Sequence, residues 1–347
     1  EIDYRLGKGC LMKDKWYDRL IHRLKKPFPL ISGLLILMAT VVCYALKPVT
    51  TIAVLASAIR QSTPLVLGAL CGLLGERSGI MNIGIEGQML MAAFIGFLVN
   101  VWTGNMFLAA CCGVFAGAVM GLFLALMSVT LKIDQIIGGT VINILSLGVT
   151  GYFYQAGMTT KGKLQAIPLG PLKEIPLLGP IVFNNPPITY LTIVLVFMVH
   201  FLLYHSRWGL RTRAVGEYPK AADTLGINVF RIQFVNLGLG GGIAGLAGAF
   251  LILEAVGSFE RAMTNGRGFV ALAIMIFGKW TPFGAWGGAL IFGLATAIQT
   301  QLQFAGQLQI PHQFIGMLPY LLTVGVLAVF IGRSRPPAGL GIVYEKE

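Results

Sequence analysis

Residues 206–231 read SRWGLRTRAVGEYPKAADTLGINVFR, a polar stretch between two strongly apolar ones. Within it, Pro219 predicts the start of a short helix, because proline lacks the N–H that a first helical turn leaves unpaired anyway. Gly226 predicts the end of that helix. Basic side chains outnumber the two acidic ones, Glu217 and Asp223. Since nearly all the rest of the chain suits lipid, we expect this loop to be where something outside the membrane binds the protein.

The composition predicts an all-α protein that crosses a membrane many times. The chain has 347 residues, of which 56% are hydrophobic and only 12% are charged, whereas a soluble domain has about 25% charged residues. A helix needs about 20 apolar residues to cross a bilayer, and the continuous apolar part of the eighth run is too short to cross alone. Apolar runs predict about ten spans, near residues 29–46, 51–74, 83–101, 106–129, 135–156, 188–205, 232–253, 263–280, 285–303 and 314–332.

The distribution of charge predicts the orientation. Lys and Arg concentrate on the cytoplasmic side of membrane proteins, so the net charge of +12 is expected without any binding of nucleic acid. With ten crossings and the N-terminus inside, most of the 26 Lys and Arg residues lie in the cytoplasm. We expect a multi-pass protein of the cytoplasmic (inner) membrane, in contact with lipid and with both termini in the cytoplasm. Its predicted parts are a basic cytoplasmic or interfacial arm at 1–28, a transmembrane domain at 29–332 with an extracellular loop at 157–187 and a cytoplasmic loop at 206–231, and a cytoplasmic tail at 333–347.

Residues 69–97 and 271–295 share a weak pattern. In each, an apolar segment is followed by a glycine beside a charged residue, a glycine-rich break and a second apolar segment. Two halves of five spans each would have opposite orientations, as in transporters with inverted repeats. The pattern therefore suggests a possible inverted repeat of two five-helix halves, although glycine-rich membrane sequences also resemble one another by composition alone.

Polar side chains occur inside the third predicted span, within the sequence GIEGQ at 84–88. Ionisable residues inside a bilayer are costly and usually face a cavity or a partner, and helix ends exposed at a break can bind a polar substrate. Two interpretations stay open: these groups line a substrate path, or they hold this helix to a neighbour. Aromatic rings nearby suit stacking on a planar base or a sugar, although Trp at the end of a span is more often an interfacial anchor. The candidate path residues are Asn82, Glu86, Gln88, Phe94, Phe269 and Trp286.

No motif predicts catalysis or a cofactor. The sequence has no GxxxxGKS/T phosphate loop, no HExxH pair and no plausible triad. Residues 240–245, GGGIAG, match GxGxxG, but a dinucleotide site needs a preceding strand. These glycines lie in an apolar run instead, where small residues four apart allow helices to approach closely. The scattered Cys and His residues form no metal-binding pattern. We therefore expect no enzyme activity, no cofactor and no metal, and we expect another polypeptide to bind any ATP that drives the protein.

Five stretches together resemble one family, the transmembrane permease subunits of ABC importers for nucleosides and simple sugars, which belong with the ribose and branched-chain amino-acid permeases. The resemblance covers about residues 30–346, and five motifs in the right order are hard to produce by chance. The stretches are GERSGIMNIGIEGQMLMAAF at 75–94, AVGEYPKAADTLGINV at 214–229, GGGIAGLAGAFL at 240–251, GRGFVALAIMIFGKW at 266–280 and GRSRPPAGLGIVYEK at 332–346.

The resemblance implies a helical permease with about ten spans and several partners. These are two cytoplasmic ABC ATPase subunits, a second permease subunit that is often a different homologue, and an extracellular substrate-binding protein. It also implies that the family's coupling helix, which docks into the ATPase, falls within the 206–231 loop. The positions that match the coupling helix are Glu217, Pro219, Lys220, Ala221, Ala222, Asp223 and Gly226.

The leading hypothesis is the membrane-spanning permease of an ATP-driven importer for purine or pyrimidine nucleosides. A permease for a simple sugar such as ribose or galactose stays open as an alternative. A further alternative is an ion-coupled carrier without an ATPase, using Glu86 or Arg60 as its coupling group. Few ionisable residues lie within the spans, whereas proton carriers tend to have relays of them, so this alternative ranks lower. An intramembrane enzyme would lack any catalytic pair.

Overall fold

The structure is a computed structural model that describes residues 44–155, 157–168, 170–305, 312–317, 319, 321 and 335–345. The chain divides into two compact units, 1–53 and 54–347, and the packing described below is that of the second. Its described part is mostly helical. In chain order the α-helices are α1 (Pro48–Arg77), α2 (Ile85–Thr103), α3 (Met106–Ala125), α4 (Gln135–Phe153), α5 (Leu178–Val182), α6 (Pro187–His205), α7 (Arg207–Glu217), α8 (Pro219–Thr224), α9 (Val229–Phe250), α10 (Arg267–Phe277), α11 (Pro282–Ala305) and α12 (His312–Gly316).

Short irregular elements join these helices. Turns of π-helix extend α3 through Leu126–Thr130 and α9 through Leu251–Val256, and a 3-10 turn covers Gly170–Glu174. Strand β1 (Ile167–Pro168) pairs antiparallel with β2 (Asn184–Asn185). This small hairpin lies in the segment 157–187, which the sequence predicts to be an extracellular loop.

Polar residues in the connections start the helices that follow them. The side-chain oxygen of each such residue accepts a hydrogen bond from a backbone N–H in the first turn of the helix. This bond satisfies one of the donors that a helix start leaves unpaired. The capping residues are Asn105 for α3, Asp134 for α4, Ser206 for α7 and Asn228 for α9.

Seven of the described helices are long and apolar enough to cross a membrane, namely α1, α2, α3, α4, α6, α9 and α11. They confirm the predicted all-α, multi-pass class. The predicted count of ten is not confirmed, nor is the inverted repeat. Of the other three predicted spans, 29–46 and 314–332 lie almost wholly outside the described residues, and the arm 1–28 lies wholly outside them. The third, 263–280, contains only the 11-residue helix α10, which is about 16 Å long and shorter than the roughly 30 Å of a bilayer core.

Glycines bring helices α3 and α9 into backbone contact. A methyl group on Gly117 would overlap the carbonyl oxygen of Gly241, and one on Gly121 would overlap the carbonyl oxygen of Leu237. In lipid no water is released when two helices meet, so the hydrophobic effect does not drive their association. Close packing of this kind drives it instead. The packing interpretation of the GGGIAG motif is therefore confirmed.

The 206–231 loop folds as the sequence predicts in its middle. Helix α8 begins at Pro219, and Gly226 follows it with a positive φ of 78°, a conformation that glycine adopts without steric cost. The segment 335–345, here named the tail segment, packs against the loop. The backbone N–H of Gly339 donates to the carbonyl of Gly216 at 2.8 Å, and that of Gly341 donates to the carbonyl of Gly79 at 3.1 Å.

Candidate functional site

Two of the candidate path residues, Asn82 and Gln88, bond to each other. The Asn82 Nδ2 donates to Gln88 Oε1 at 3.3 Å, and the Gln88 Nε2 donates to Asn82 Oδ1 at 3.4 Å. The Sγ of Cys71 lies 3.3 Å from both amides. Both amide side chains are 0% exposed. In this conformation they join α2 and the turn before it to α1, and neither faces open space.

Glu86 caps the start of another helix. Its Oε1 accepts the backbone N–H of Gly266 at 2.8 Å, and its Oε2 accepts the backbone N–H of Gly268 at 2.6 Å. A carboxylate is favoured at a helix N-terminus because the first N–H groups are unpaired and carry partial positive charge. Glu86 therefore holds the first turn of α10 against α2, which is the second of the two interpretations left open for this residue.

The aromatic candidates lie in different surroundings. Phe94 is buried, and its ring meets that of Phe259 edge-on with centroids 5.0 Å apart. Phe269 on α10 is half exposed. Trp286 on α11 packs against Phe197, with the ring centroids 6.2 Å apart. The structure therefore does not gather the six candidate path residues into one cluster, and a substrate path through them stays a prediction.

Glu254 and Arg60 also have structural partners. The Oε1 of Glu254 accepts the backbone N–H of Ile188 at 2.5 Å, and its Oε2 accepts the hydroxyl of Thr189 at 3.2 Å, so that Glu254 caps α6. The Nη2 of Arg60 donates to the carbonyl of Asn184 at 3.1 Å. A carboxylate on one helix thus holds the first turn of another helix at two places in the molecule.

Two cavities lie side by side along α1. The larger, of about 510 Å³, has a charged lining formed by Arg60, Lys163 and Glu254. Lys163 donates from its Nζ to the carbonyl of Ala255 at 2.7 Å, so all three charged groups have partners within the protein. Gln61 lines this cavity and also the second one.

The second cavity, of about 300 Å³, lies between α1, α10, α11 and α12, and we name it the amide cavity. Three amide side chains line it, those of Gln61, Asn265 and Gln299, together with Arg267 and Thr296. Sequence reasoning missed these three amides. The available signal was the presence of Gln61 and Gln299 inside otherwise apolar spans, but amides there also serve helix packing.

The coupling-helix positions come together at the end of α7, on α8 and just after α8, and the paired alanines among them differ in burial. Ala222 is 2% exposed and packs with Val215, Val229, Ile232 and Tyr344. Ala221 is exposed. Sequence reasoning missed two exposed apolar residues beside it, since Leu225 is 81% exposed and Tyr218 is 63% exposed. Of the paired alanines, only Ala221 is available to a partner.

The tail segment adds charged contacts near α8. The Oε2 of Glu217 accepts the backbone N–H of Ala338 at 3.2 Å. Lys132, in the turn after α3, forms a salt bridge with Glu345 at 2.7 Å. The hydrogen bond from Lys132, and then its positive charge, lower the pKa of the Glu345 carboxyl. Over the described ranges, no three His, Cys, Asp or Glu side chains gather as a metal site.

Residues 54–327 match the family model of the permease component of the branched-chain amino acid transport system. The chain belongs to this permease family. The permease is 37% identical to the nucleoside ABC transporter permease of Lactococcus lactis, with 84% of this chain and 96% of that protein aligned. It is also 37% identical to the guanosine ABC transporter permease of Bacillus subtilis, over 82% of this chain and 94% of that protein. A permease of Haloferax volcanii whose name refers to glucose is 34% identical, over 83% of this chain and 96% of that protein.

These relatives confirm the resemblance that the five motifs indicate. The matched region of the permease, 54–327, contains both cavities, the loop 206–231 and both capping carboxylates. The tail segment lies beyond it.

Proposed function

We propose that the permease is a membrane-spanning subunit of an ATP-driven ABC importer that translocates nucleosides across the cytoplasmic membrane. The observation that carries the proposal is the identity of 37% to two proteins named for nucleosides, over more than four fifths of this chain and nearly all of each relative. Members of one family that align over nearly their whole length share their architecture. The names of these two relatives support nucleosides as the substrate class.

The energy for transport enters through a separate ATPase subunit that docks on the exposed face of α8. The sequence lacks a phosphate loop, so ATP is bound by that partner. On this face Tyr218, Ala221 and Leu225 provide an apolar contact surface, and exposed apolar residues that a monomer does not bury often mark an interaction site. The matched coupling positions Glu217 and Lys220 flank this surface.

The remaining partners follow from the same assembly. A second permease, identical or homologous, completes the route across the membrane, and an extracellular substrate-binding protein delivers the nucleoside. The excess of Lys and Arg at the arm 1–28, the loop 206–231 and the tail 333–347 supports a cytoplasmic location for both termini.

The test is isolation of the intact complex from cells that express the permease with its partners. We expect an ATPase subunit to co-purify, and we expect nucleosides to stimulate ATP hydrolysis and uptake into proteoliposomes. Uptake that persists without any ATPase and follows a proton or sodium gradient would contradict the proposal.

Sugar import is the second candidate, favoured by the identity of 34% to the Haloferax protein. The same preparation distinguishes the two, because glucose, ribose and galactose are tested beside guanosine and cytidine. Stimulation by a sugar and by no nucleoside would select this candidate. The ion-coupled carrier is supported less, since Glu86 and Arg60 both bond to backbone groups.

A further inference from the structure

Three amide side chains converge on the amide cavity without partners. Within the part of the chain that the structure describes, Gln61, Asn265 and Gln299 make no side-chain hydrogen bond, although each lines the cavity. The amides of Asn82 and Gln88, by contrast, satisfy each other. A carboxamide offers two N–H donors and an acceptor oxygen, so this cavity presents several unused donors and acceptors at once.

The chemistry of the cavity suits a neutral, planar solute with mixed donors and acceptors. Arg267 is the charged side chain among the described lining residues, and its Nη1 already donates to the carbonyl of Met263 at 3.0 Å. No carboxylate is among those residues, so they offer no negative charge to stabilise a cation. Asn and Gln amides bond bidentately to the edge of adenine, and the donor and acceptor of a carboxamide also match the adjacent O6 acceptor and N1–H donor of guanine. Leu65 and Phe292 add apolar surface to the lining, which suits the faces of such a ring.

The position of the cavity fits a transported solute. The volume of about 300 Å³ is at the lower end of the range for small-molecule sites. Gln61 is a wall of both cavities, so a solute in the larger one is adjacent to the amides. This arrangement lies along α1 and does not include Asn82 or Gln88.

Glu86 fixes the position of one of the three amides, that of Asn265. It binds the N–H groups of Gly266 and Gly268, and Asn265 and Arg267 are the residues next to those glycines. Asn265 has a φ of 46° and Gly266 a φ of 78°, and Asn is one of the few side chains that accept this left-handed region. The capped turn therefore presents Asn265 to the cavity, which makes Glu86 a positioning residue that does not itself touch the solute.

We propose that the amide cavity is a nucleobase-recognition site on the route through the permease, with Gln61, Asn265 and Gln299 as its specificity-determining side chains. The proposal rests on nucleoside import as the function. It names the base, more than the sugar, as the part of the solute that this subunit recognises.

The experiment uses the intact complex with a photoreactive nucleoside, 8-azidoguanosine. We expect the label on peptides that contain 261–270 or 292–303, displaced by excess guanosine and not by glucose. In Gln61→Leu and Gln299→Leu we expect labelling to fall by about tenfold, the effect of losing a bidentate contact to a base. Gln301→Leu is the matched control, because it makes the same change two residues along α11 on an exposed position outside the cavity.

Transport selectivity gives the second measurement. With saturating binding protein, we expect Gln61→Leu and Gln299→Leu to narrow the difference between guanosine and cytidine uptake, while Gln301→Leu keeps the wild-type ratio. Labelling outside the cavity, or variants that match the control in both assays, would overturn the site while leaving nucleoside import intact. A wild-type complex that imports glucose and no nucleoside would overturn the proposed function, and the site with it.

Discussion

Helices α3 and α9 meet backbone to backbone, whereas α1, α10 and α11 leave a polar cavity between them. The first contact contains glycines with no room for a methyl group. The second also has such a glycine, since a methyl group on Gly293 would overlap the carbonyl oxygen of Ala58, but it adds amides that have no partner among the described residues. Close-packed interfaces resist deformation, so we infer that α3 and α9 form a rigid frame. We infer that the route for the solute lies at the amide cavity, between α1, α10 and α11.

The largest expected effect comes from filling the rigid interface. Gly117→Val places a branched side chain against the backbone of Gly241, which has no side chain to move aside. Overpacking typically costs about 1–3 kcal/mol, and we expect this clash with backbone to reach the upper end of that range or exceed it, seen as a low yield of monodisperse protein in detergent. Gly148→Val is the control, because Gly148 is also inside a span helix and nothing lies within 4 Å of its Cβ position. Equal yields of the two variants would contradict the rigid frame.

The next effect is expected at the junction between the frame and the cavity. Glu86→Ala removes the acceptor for two backbone N–H groups at the start of α10. A hydrogen bond to a charged group contributes about 1.5–3 kcal/mol to stability. We expect a lower melting temperature and weaker photolabelling of the amide cavity. Glu86→Gln keeps one acceptor oxygen, so its loss should be smaller.

Glu260→Ala serves as the control for Glu86, since Glu260 is exposed. If Glu86→Gln instead abolished uptake with no change in melting temperature, Glu86 would act in coupling or substrate contact, and the positioning role would be wrong.

The loop 206–231 connects the frame to the proposed ATPase. Ala222 packs on Val229 and Ile232 of α9, so force on α8 reaches the rigid side directly. Ala221→Arg places a long charged side chain on the exposed face, and we expect about a tenfold fall in nucleoside-stimulated ATP hydrolysis with an unchanged melting temperature. Ala222→Arg is the contrasting variant, which we expect to lower the melting temperature because the site is buried. The opposite pattern would assign docking to Ala222.

The smallest effect concerns the salt bridge of the tail segment. Because the pKa of Glu345 is lowered in the folded protein, its contribution to stability is present above the ordinary glutamate pKa of about 4.3 and is lost as the pH falls through the lowered value. The melting temperature of the wild type should therefore slightly exceed that of Lys132→Met at pH 7, and the difference should vanish in acid and shrink in high salt. A difference that grew in acid would contradict this sign.

The sequence is informative where a feature depends on local pattern. Apolar length predicts the seven long helices, Pro219 and Gly226 predict α8, and the spacing of the glycines predicts the close contact of α9. Composition fails at 263–280, because positive φ angles at Asn265 and Gly266, and at Lys279 and Trp280 beyond the helix, break an apolar run into one short helix.

The partners of polar groups are the part that pattern does not determine. Asn82 and Gln88 look like path residues by position, yet each satisfies the other. Gln61 and Gln299 lie 238 positions apart in the printed sequence and share a cavity only through the fold. Likewise, nothing in the pair Ala221 and Ala222 indicates which one Tyr344 covers. Such choices are made by tertiary contacts, which a single sequence does not display.

The tail segment also imposes an order of events during synthesis. Gly216 and Glu217 receive their hydrogen bonds from residues 338 and 339, which leave the ribosome more than a hundred residues after the loop they complete. Until those residues arrive, Ala222 lacks the ring of Tyr344 that packs on its cluster. The surface that supports α8 is therefore incomplete until residues 338–344 have been made, so a chain whose translation stopped before them would offer the proposed ATPase an incomplete docking surface.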